Sequence, residues 1–311
     1  MTLPSPDEPL RIGTRGSPLA VAQAEETRTR LMAAHGLAKD AFEIVVIRTS
    51  GDRVQDRALS EIGGKGLFTK EIEEALIAGN IHIAVHSMKD MPTVLPDGLA
   101  ITCVLPREDV RDAFVSINHA SLDDLPKGAV FGSSSLRRRA QLLNRRPDLQ
   151  MVEFRGNVQT RLSKLNAGVA DATLLAAAGL RRMGNDDLAA GAVSVDTLLP
   201  AVAQGAIGIE LRLDDADTQA LLDPINDVDT ETQLAAERAF LAGLDGSCRT
   251  PIAGLAELDG DQIRFRGEVI RPDGSECLSV EHTGPASDAA VIGAESAKEL
   301  RAQGGMDFFA T

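Results

Sequence analysis

Residues that could do chemistry follow directly after an apolar run, in the stretch Ile81–Pro92. Ser87, Lys89 and Asp90 bring a hydroxyl, an ammonium and a carboxylate to what reads as the end of a buried strand. Ligands of open α/β sheets bind beyond the carboxyl ends of strands, so this grouping is suited to a reactive centre. A capped surface loop holding a Lys–Asp ion pair would show the same residues, and the stretch alone leaves both interpretations open.

A second candidate is the thiol of Cys248, which has glycine and proline around it and Arg249 beside it. The thiolate is the reactive form of cysteine, and an adjacent guanidinium lowers the pKa of a thiol. Loop cysteines are also often incidental, so this residue by itself does not establish a function. Cys103 and Cys277 fall within strand patterns and are predicted to be structural. Three widely spaced cysteines predict reduced thiols and a cytosol-like compartment.

The charge of the chain is unevenly distributed. The segment 132–182 contains nine Arg and one Lys against three acidic residues, a local balance of +7 in a chain of net charge −14. The remainder therefore carries −21. A basic island in an acidic protein indicates a focused anion site, although an Arg-rich solvated helix face would give the same count.

Several functional classes lack their sequence signatures. The chain has no dinucleotide fingerprint, no nucleophile-elbow motif and no His/Cys spacing for a metal. The stretch Gly63–Gly66 resembles a phosphate loop only superficially, because Gly66 stands where Ser or Thr should follow the lysine. The net charge and the absence of Trp and Tyr argue against nucleic-acid binding. The first residues lack a signal-peptide pattern, and no apolar stretch is long enough for a bilayer span.

The elements that would position these residues show a repeated pattern. Leu10–Thr14 is predicted to be a strand, followed by Arg15, a helix N-cap at Ser17 and a helix to Gly36. Arg15 thus falls between a strand end and a helix N-terminus, where anions are favoured. The segment 129–145 repeats this order of strand, glycine, hydroxyl residues and helix. We therefore predict two similar α/β lobes facing one cleft.

The domain boundaries follow from the remaining patterns. The charged segment Arg107–Asp112 is predicted to be a strand-free crossover between lobes, and a strand within 205–213 is predicted to return to the first lobe. Alternating strands and a final helix after residue 225 predict a small α+β domain. The predicted fold class is α/β, with two periplasmic-binding-protein-like lobes around a cleft. The predicted domains are residues 1–105 with 205–224, then 106–204, then 225–311.

Taken together and in order, several short stretches resemble the porphobilinogen deaminases, also called hydroxymethylbilane synthases. The resemblance extends from about Leu10 to the C-terminal helix and is specific because the motifs occur in the same order. The matching stretches are Arg11–Ala20, Gly63–Phe68, Ala84–Asp90, Ser134–Arg138, Arg155–Asn157 and Gly246–Cys248.

The resemblance implies a transferase of porphyrin, tetrapyrrole and heme biosynthesis. In the family, four porphobilinogen molecules are joined head to tail to hydroxymethylbilane, with release of ammonia. The chain grows on a dipyrromethane cofactor bound covalently by a thioether, which the resemblance places on Cys248. It assigns catalysis to Asp90, whose carboxylate would stabilise positive charge on pyrrole nitrogens.

The resemblance also implies a set of side chains for the acetate and propionate groups of the pyrroles, which arginine forks bind well. The implied cofactor- and substrate-binding residues are Arg15, Ser17, Lys65, Phe68, Ser87, Lys89, Ser134, Ser135, Arg137, Arg138, Arg155, Gly156, Arg161, Arg182 and Gln204. No metal, nucleic acid or membrane partner is expected, and the protein is expected to be a cytoplasmic monomer. The alternative from another class is a non-catalytic, two-lobed anion-binding protein.

Overall fold

The protein is described by a computed structural model that covers residues 3–50, 69–244 and 251–309. The strands of these residues are β1 (Leu10–Arg15), β2 (Phe42–Ile47), β3 (Ile83–Ser87), β4 (Leu99–Val104), β5 (Asp112–Ser116), β6 (Val130–Gly132), β7 (Gln150–Val152), β8 (Ala172–Ala176), β9 (Ile207–Arg212), β10 (Ile252–Asp259), β11 (Gln262–Ile270) and β12 (Cys277–Pro285). The helices are α1 (Pro18–His35), α2 (Lys70–Ile77), α3 (Leu136–Arg145), α4 (Val158–Asn166), α5 (Ala177–Arg182), α6 (Asp186–Ala189), α7 (Ala216–Leu222), α8 (Val228–Gly243) and α9 (Ala289–Phe309).

The described residues form two compact units. The first unit comprises 3–50, 69–108 and 205–231, and the second comprises 109–204, 232–244 and 251–309. The chain therefore leaves the first unit after Glu108 and returns to it at Gly205. Within the described part of the chain, no helix is both long enough and apolar enough to cross a membrane.

The first unit is built on a five-stranded sheet in the order β2-β1-β3-β9-β4. β1 runs parallel to β2 and β3, whereas β9 lies antiparallel between β3 and β4. The strands are nearly continuous apolar runs because helices cover both faces of the sheet. Residues of α1 share one core cluster with Ile12 and Val85, and residues of α2 share another with Ile81 and Ala84.

The predicted start of α1 is confirmed. Ser17 is the N-cap, its hydroxyl accepts a hydrogen bond from the Ala20 N–H, and Pro18 occupies the first helical position. This is the arrangement that supports helix initiation, since proline lacks the N–H that would be unpaired there. Because β1 ends at Arg15, the cap fixes both Arg15 and Ser17 at the carboxyl edge of the sheet.

The second unit contains a four-stranded sheet in the order β5-β8-β6-β7. β6 is parallel to β7 and β8, and β5 is antiparallel to β8, with Asp112 opposite Ala176. The first residue of β5 therefore lies at the edge where the parallel strands end. The prediction that Arg107–Asp112 is free of strand was wrong at its last residue, because Asp112 opens β5.

The second unit also holds the antiparallel sheet β10-β11-β12, against which α8 and α9 pack. Phe240 of α8 lies with its ring centroid 4.9 Å from that of Phe265 on β11. A turn at Pro272–Gly274 joins β11 to β12. The predicted α/β class with a small α+β C-terminal domain is confirmed.

Candidate active site

In the first unit, a pocket lies at the carboxyl ends of β1 and β3, where α1 and α2 begin. Its charged and polar lining residues come from four places along the chain, which the parallel pairing of β1 and β3 brings to one edge. The residues lining the pocket are Arg15, Ser17, Leu19, Ala20, Gln23, Thr69, Val85, His86, Ser87, Asp90 and Met91.

Asp90 is carried on a single 3-10 turn, Met88–Asp90, that follows β3 without a break. The turn is held in place by burial of Met88 and Met91 and by a hydrogen bond from the Met88 N–H to the Ala206 carbonyl at 3.0 Å. A Cβ on Gly208 would lie 2.1 Å from the Met88 sulfur, so only glycine leaves room for the Met88 side chain. The Asp90 side chain itself is exposed and makes no hydrogen bond or ion pair with any described residue.

The competing interpretation of a Lys89–Asp90 surface pair therefore has no support in the geometry. Lys89 is also exposed on the same turn, and no ion pair of the described residues joins it to the Asp90 carboxylate. The carboxylate at the pocket is consequently a negative charge that no cation of the described residues neutralises by direct contact.

Ser87 is fixed by a residue that sequence reasoning missed. The Ser87 hydroxyl donates to Gln23 Oε1 at 3.0 Å, and Gln23 Nε2 lies 2.8 Å from the same hydroxyl. Gln23 is buried on the face of α1 that also carries Ala20 and Ala24. A polar amide within an otherwise apolar helix stripe was the available signal, since buried amides require partners.

In the second unit, the carboxylate of Asp112 is the centre of a buried ion cluster. It is 1% exposed and receives Arg137 Nη2 on Oδ2 at 2.7 Å, Arg138 Nη2 on Oδ1 at 2.7 Å and Gln204 Nε2 on Oδ1 at 2.9 Å. Arg137 also donates to the Leu199 carbonyl, and Arg138 donates to the Leu174 carbonyl. Three of the predicted site residues are thus held by one acid that sequence reasoning did not single out.

The cluster has more positive than negative charge. Burial raises the pKa of Asp112, but the guanidiniums of Arg137 and Arg138 outweigh it and hold that pKa far below its usual range. Burial, together with the charges of Arg138 and Arg155, lowers the pKa of Arg161 to about 10. Guanidiniums whose positive charges lower one another's pKa indicate a site suited to further anions.

The strand ends explain why these residues come together. Ser135, after β6, is the N-cap of α3, and Ser134 accepts a hydrogen bond from the Phe154 N–H at 2.9 Å. Gly156, after β7, has φ +120°, and a Cβ there would lie 2.5 Å from Thr160, so glycine is required at this turn. Arg155 directly precedes that turn. Asn157 follows it as the N-cap of α4, the helix that carries Arg161.

Of the remaining predicted site residues, the structure describes one and does not describe three. Arg182 is half-buried in the last turn of α5, which follows β8 at the same sheet edge. Lys65, Phe68 and Cys248 lie outside the described residues. Among the described His, Cys, Asp and Glu side chains, no group of three or more is placed to hold a metal ion.

The two described cysteines are poor nucleophiles. Burial, reinforced by nearby carboxylates, raises the pKa of Cys103 to about 12. Burial and Glu268 together raise the pKa of Cys277 to about 11, with Arg145 opposing the rise. Neither thiol ionises near neutral pH, which agrees with the structural role predicted for both.

Comparison with known proteins identifies relatives over nearly the whole chain. Residues 10–220 match the family described as porphobilinogen deaminase, dipyromethane cofactor binding domain, and residues 232–302 match the porphobilinogen deaminase C-terminal domain. The porphobilinogen deaminase of Paracoccus denitrificans is 67% identical over 99% of this chain and 98% of its own length. That of Nitrobacter hamburgensis is 57% identical over 96% of this chain and 94% of its own length.

More distant similarity extends to solved structures. The periplasmic VFT2 domain of Bordetella pertussis BvgS is 15% identical, with a TM-score of 0.39 over 70% of this chain and 86% of that domain.

Proposed function

The chain belongs to the porphobilinogen deaminase family, and we propose that Asp90, the arginines around Asp112 and Cys248 divide the work of its reaction. That reaction joins four porphobilinogen molecules to hydroxymethylbilane and releases ammonia, which makes the protein a transferase of tetrapyrrole and heme biosynthesis. The alternative of a non-catalytic anion-binding protein has no support among the matches.

Asp90 is proposed as the catalytic carboxylate, and the absence of a partner for its side chain among the described residues is the observation that carries this assignment. As ammonia leaves, positive charge develops on the substrate pyrrole, and a fixed carboxylate nearby lowers the energy of that state. The Asp90 charge is available for this purpose because no described residue pairs with it, and the buried methionines of its turn hold it in place. Arg15 lines the same pocket and is suited to a substrate carboxylate.

The dipyrromethane fits the second unit by charge. When bound, this cofactor supplies the pyrrole carbon on which the chain grows, and its acetate and propionate groups are anions. Arg137 and Arg138 already share one carboxylate, and the pKa of Arg161 is lowered by burial and, in addition, by the positive charges of Arg138 and Arg155. Additional carboxylates would offset these positive charges, and the guanidinium forks offer planar, bidentate binding. We assign the binding of cofactor and substrate carboxylates to these residues, with Arg155, Arg182 and Gln204.

Asp112 determines which atoms of the arginines face a ligand. Because its two oxygens occupy one Nη atom of each guanidinium, the orientation of both forks is set before any ligand binds. The Nε atoms of Arg137 and Arg138 have no hydrogen-bond partner among the described residues. Pre-oriented donors lose less side-chain entropy on binding than flexible ones.

Cys248 is proposed as the attachment point of the cofactor, through a thioether. Support comes from the match of Gly246–Cys248 to the family motif and from the chemistry of a thiol beside Arg249. The raised pKa values of Cys103 and Cys277 make those thiols unsuited to the task. We further propose that the protein works as a monomer in the cytoplasm.

Single-turnover release of ammonia from porphobilinogen tests the assignment of Asp90. Asp90→Asn keeps the shape and removes the charge, and we expect it to slow turnover roughly 100- to 1000-fold, as for the loss of one well-placed electrostatic contact. Asp97→Asn is the matched control, because Asp97 is an exposed acid of the same unit that does not line the pocket. Turnover of Asp90→Asn within a few-fold of both wild type and this control would show that the assignment is wrong.

A further inference from the structure

Three buried titratable side chains of the first unit have no part in the mechanism above. Glu210 on β9 is 0% exposed, His86 on β3 is 5% exposed and Glu73 on α2 is 8% exposed. Glutamate is rarely buried unless it is paired, since removing a carboxylate from water is costly. Two buried carboxylates around one imidazole therefore call for a functional explanation.

The sheet register explains how they meet. In the antiparallel pair of β3 and β9, Ala84 stands opposite Glu210 and His86 stands opposite Gly208. Alternate residues of a strand share a face, so His86 points to the same side as Ala84. That side is covered by α2, whose Ile72 and Leu76 cluster with Ala84.

Hydrogen bonding in this group is incomplete. His86 Nε2 lies 3.0 Å from Glu210 Oε2. The other carboxylate oxygen of Glu210, Oε1, and Oε1 of Glu73 are buried and have no hydrogen-bond partner among the described residues. A buried acceptor without a partner is expensive, and protonation of a buried carboxylate relieves part of that cost.

The neighbouring charged groups are engaged elsewhere. On α2, Lys70 and Glu74 form an exposed pair at 3.9 Å, and Glu71 accepts a hydrogen bond from the Ser50 N–H. On β9, Arg212 donates to the Leu76 and Ile81 carbonyls and pairs with Asp215. On β1, Arg11 donates to the Gly79 carbonyl, and Arg15 lines the pocket. β4 contributes no charged residue.

The Glu73 carboxyl is therefore electrostatically coupled to both Glu210 and His86. Burial raises the pKa of Glu73, the Glu210 charge adds to that rise, and Thr69 and His86 oppose it. The group lies next to the pocket, because His86 is itself one of the lining residues, together with Ser87 and Asp90. A change in its charge is thus felt where the substrate cation forms.

We propose that Glu73, His86 and Glu210 act together as positioning residues for Asp90. Their shared negative charge adds to the field that Asp90 presents to the cationic substrate, and proton uptake by this group sets the acid limb of the pH–rate profile. The proposal rests on the proposed function of Asp90. It extends the site from one carboxylate at the pocket to a second layer of charge beneath it, where the low polarity of the interior strengthens electrostatic effects.

The test is the pH dependence of single-turnover ammonia release by cofactor-loaded enzyme, with Glu73→Gln compared to wild type. Glutamine preserves the size of the side chain and removes its titration. We expect the acid limb to move to lower pH and the rate on the neutral plateau to fall several-fold. Glu74→Gln, one position along the same helix but exposed, is the matched control and should reproduce the wild-type profile.

A second measurement keeps the proposal testable if the variant folds or loads poorly. The imidazole nitrogens of His86 can be followed by NMR in loaded wild-type enzyme as the pH is lowered. Proton uptake at the His86 ring in the same pH range as the acid limb supports the proposal. Acid limbs that coincide in wild type, Glu73→Gln and Glu74→Gln would overturn it, as would a His86 ring that does not respond there. Absence of ammonia release from wild type would instead refute the proposed function, and the His86 titration would still show whether the group shares protons.

Discussion

Replacing Asp112 by Asn should destabilise the second unit severely. Among the described residues, Asp112 carries the only negative charge that contacts the buried guanidiniums of Arg137 and Arg138. The change removes that charge and leaves the volume of the side chain almost unchanged. The Asn amide could accept on one oxygen only, so one charge-assisted hydrogen bond of 2.7 Å is lost outright and the other loses the charge of its acceptor. Removing one partner of a buried ion pair costs about 3–5 kcal/mol, because the remaining charge stays buried without compensation.

Denaturant unfolding at neutral pH would measure this loss, and Asp148→Asn is the matched control. Asp148 also makes two bonds to one arginine, at 2.8 Å and 2.9 Å from Arg146, but it does so at the protein surface. Water replaces a lost surface pair, so we expect the control to unfold close to wild type. If Asp112→Asn lost no more stability than Asp148→Asn, the argument from buried charge would be refuted.

The pH dependence of the stability difference between wild type and Asp112→Asn follows from the direction of the Asp112 pKa shift. The folded-state pKa lies far below the usual 3.8, so the unfolded chain binds this proton more readily than the folded protein. The stabilisation is therefore fully present above the unfolded-state pKa and declines as the pH falls below it. The deficit of Asp112→Asn relative to wild type should accordingly be constant near neutrality and shrink below about pH 4.

Further measurements test the remaining assignments. Intact mass spectrometry should find active wild-type enzyme heavier than its sequence by two linked pyrrole units and Cys248→Ser without that mass; an unmodified Cys248 in active enzyme would exclude the thioether. Arg137→Leu should impair cofactor loading, and it should also lower stability because Asp112 and the Leu199 carbonyl each lose a donor. Arg137→Lys should restore loading only in part. Normal loading in Arg137→Leu would show that the role of this arginine is purely structural. The raised pKa of Glu73 means that its contribution to stability is complete below the unfolded value of 4.5 and is lost as the pH rises through the folded value. Thermal melts should therefore show Glu73→Gln gaining stability relative to wild type between pH 4 and pH 8, whereas an equal difference at both pH values would contradict the burial argument.

Local signals were sufficient to predict much of the fold. The Ser17 cap lies where the sequence predicts it, because capping depends on the side chain and its next three residues. Apolar strand runs likewise predicted β1 and β3, whose burial on both faces removes the need for alternation. The carboxyl ends of these strands then placed Ser87 and Asp90 at the pocket.

The residues that sequence reasoning missed depend on tertiary contacts. Asp112 stands in a charged segment that looks like a solvated linker, and only the pairing of β5 with β8 buries it between two arginines. Gln23 looks like an ordinary helix residue until Ser87, 64 positions later, reaches it. The pairing of Glu210 with His86 spans 124 positions, so no local pattern could indicate it.

The central position of β9 in the first sheet has a consequence for synthesis on the ribosome. β9 lies between β3 and β4, yet it is made only after the whole segment 109–204 has been translated. Until then β3 has one unpaired edge and β4 has no partner strand, and exposed strand edges favour aggregation. The nascent first unit must therefore wait for residues 207–212, while the four-stranded sheet of the second unit has all its strands by residue 176. The strands of the sheet next to Asp90 are thus complete later than those of the sheet next to Arg137, although Asp90 is translated first.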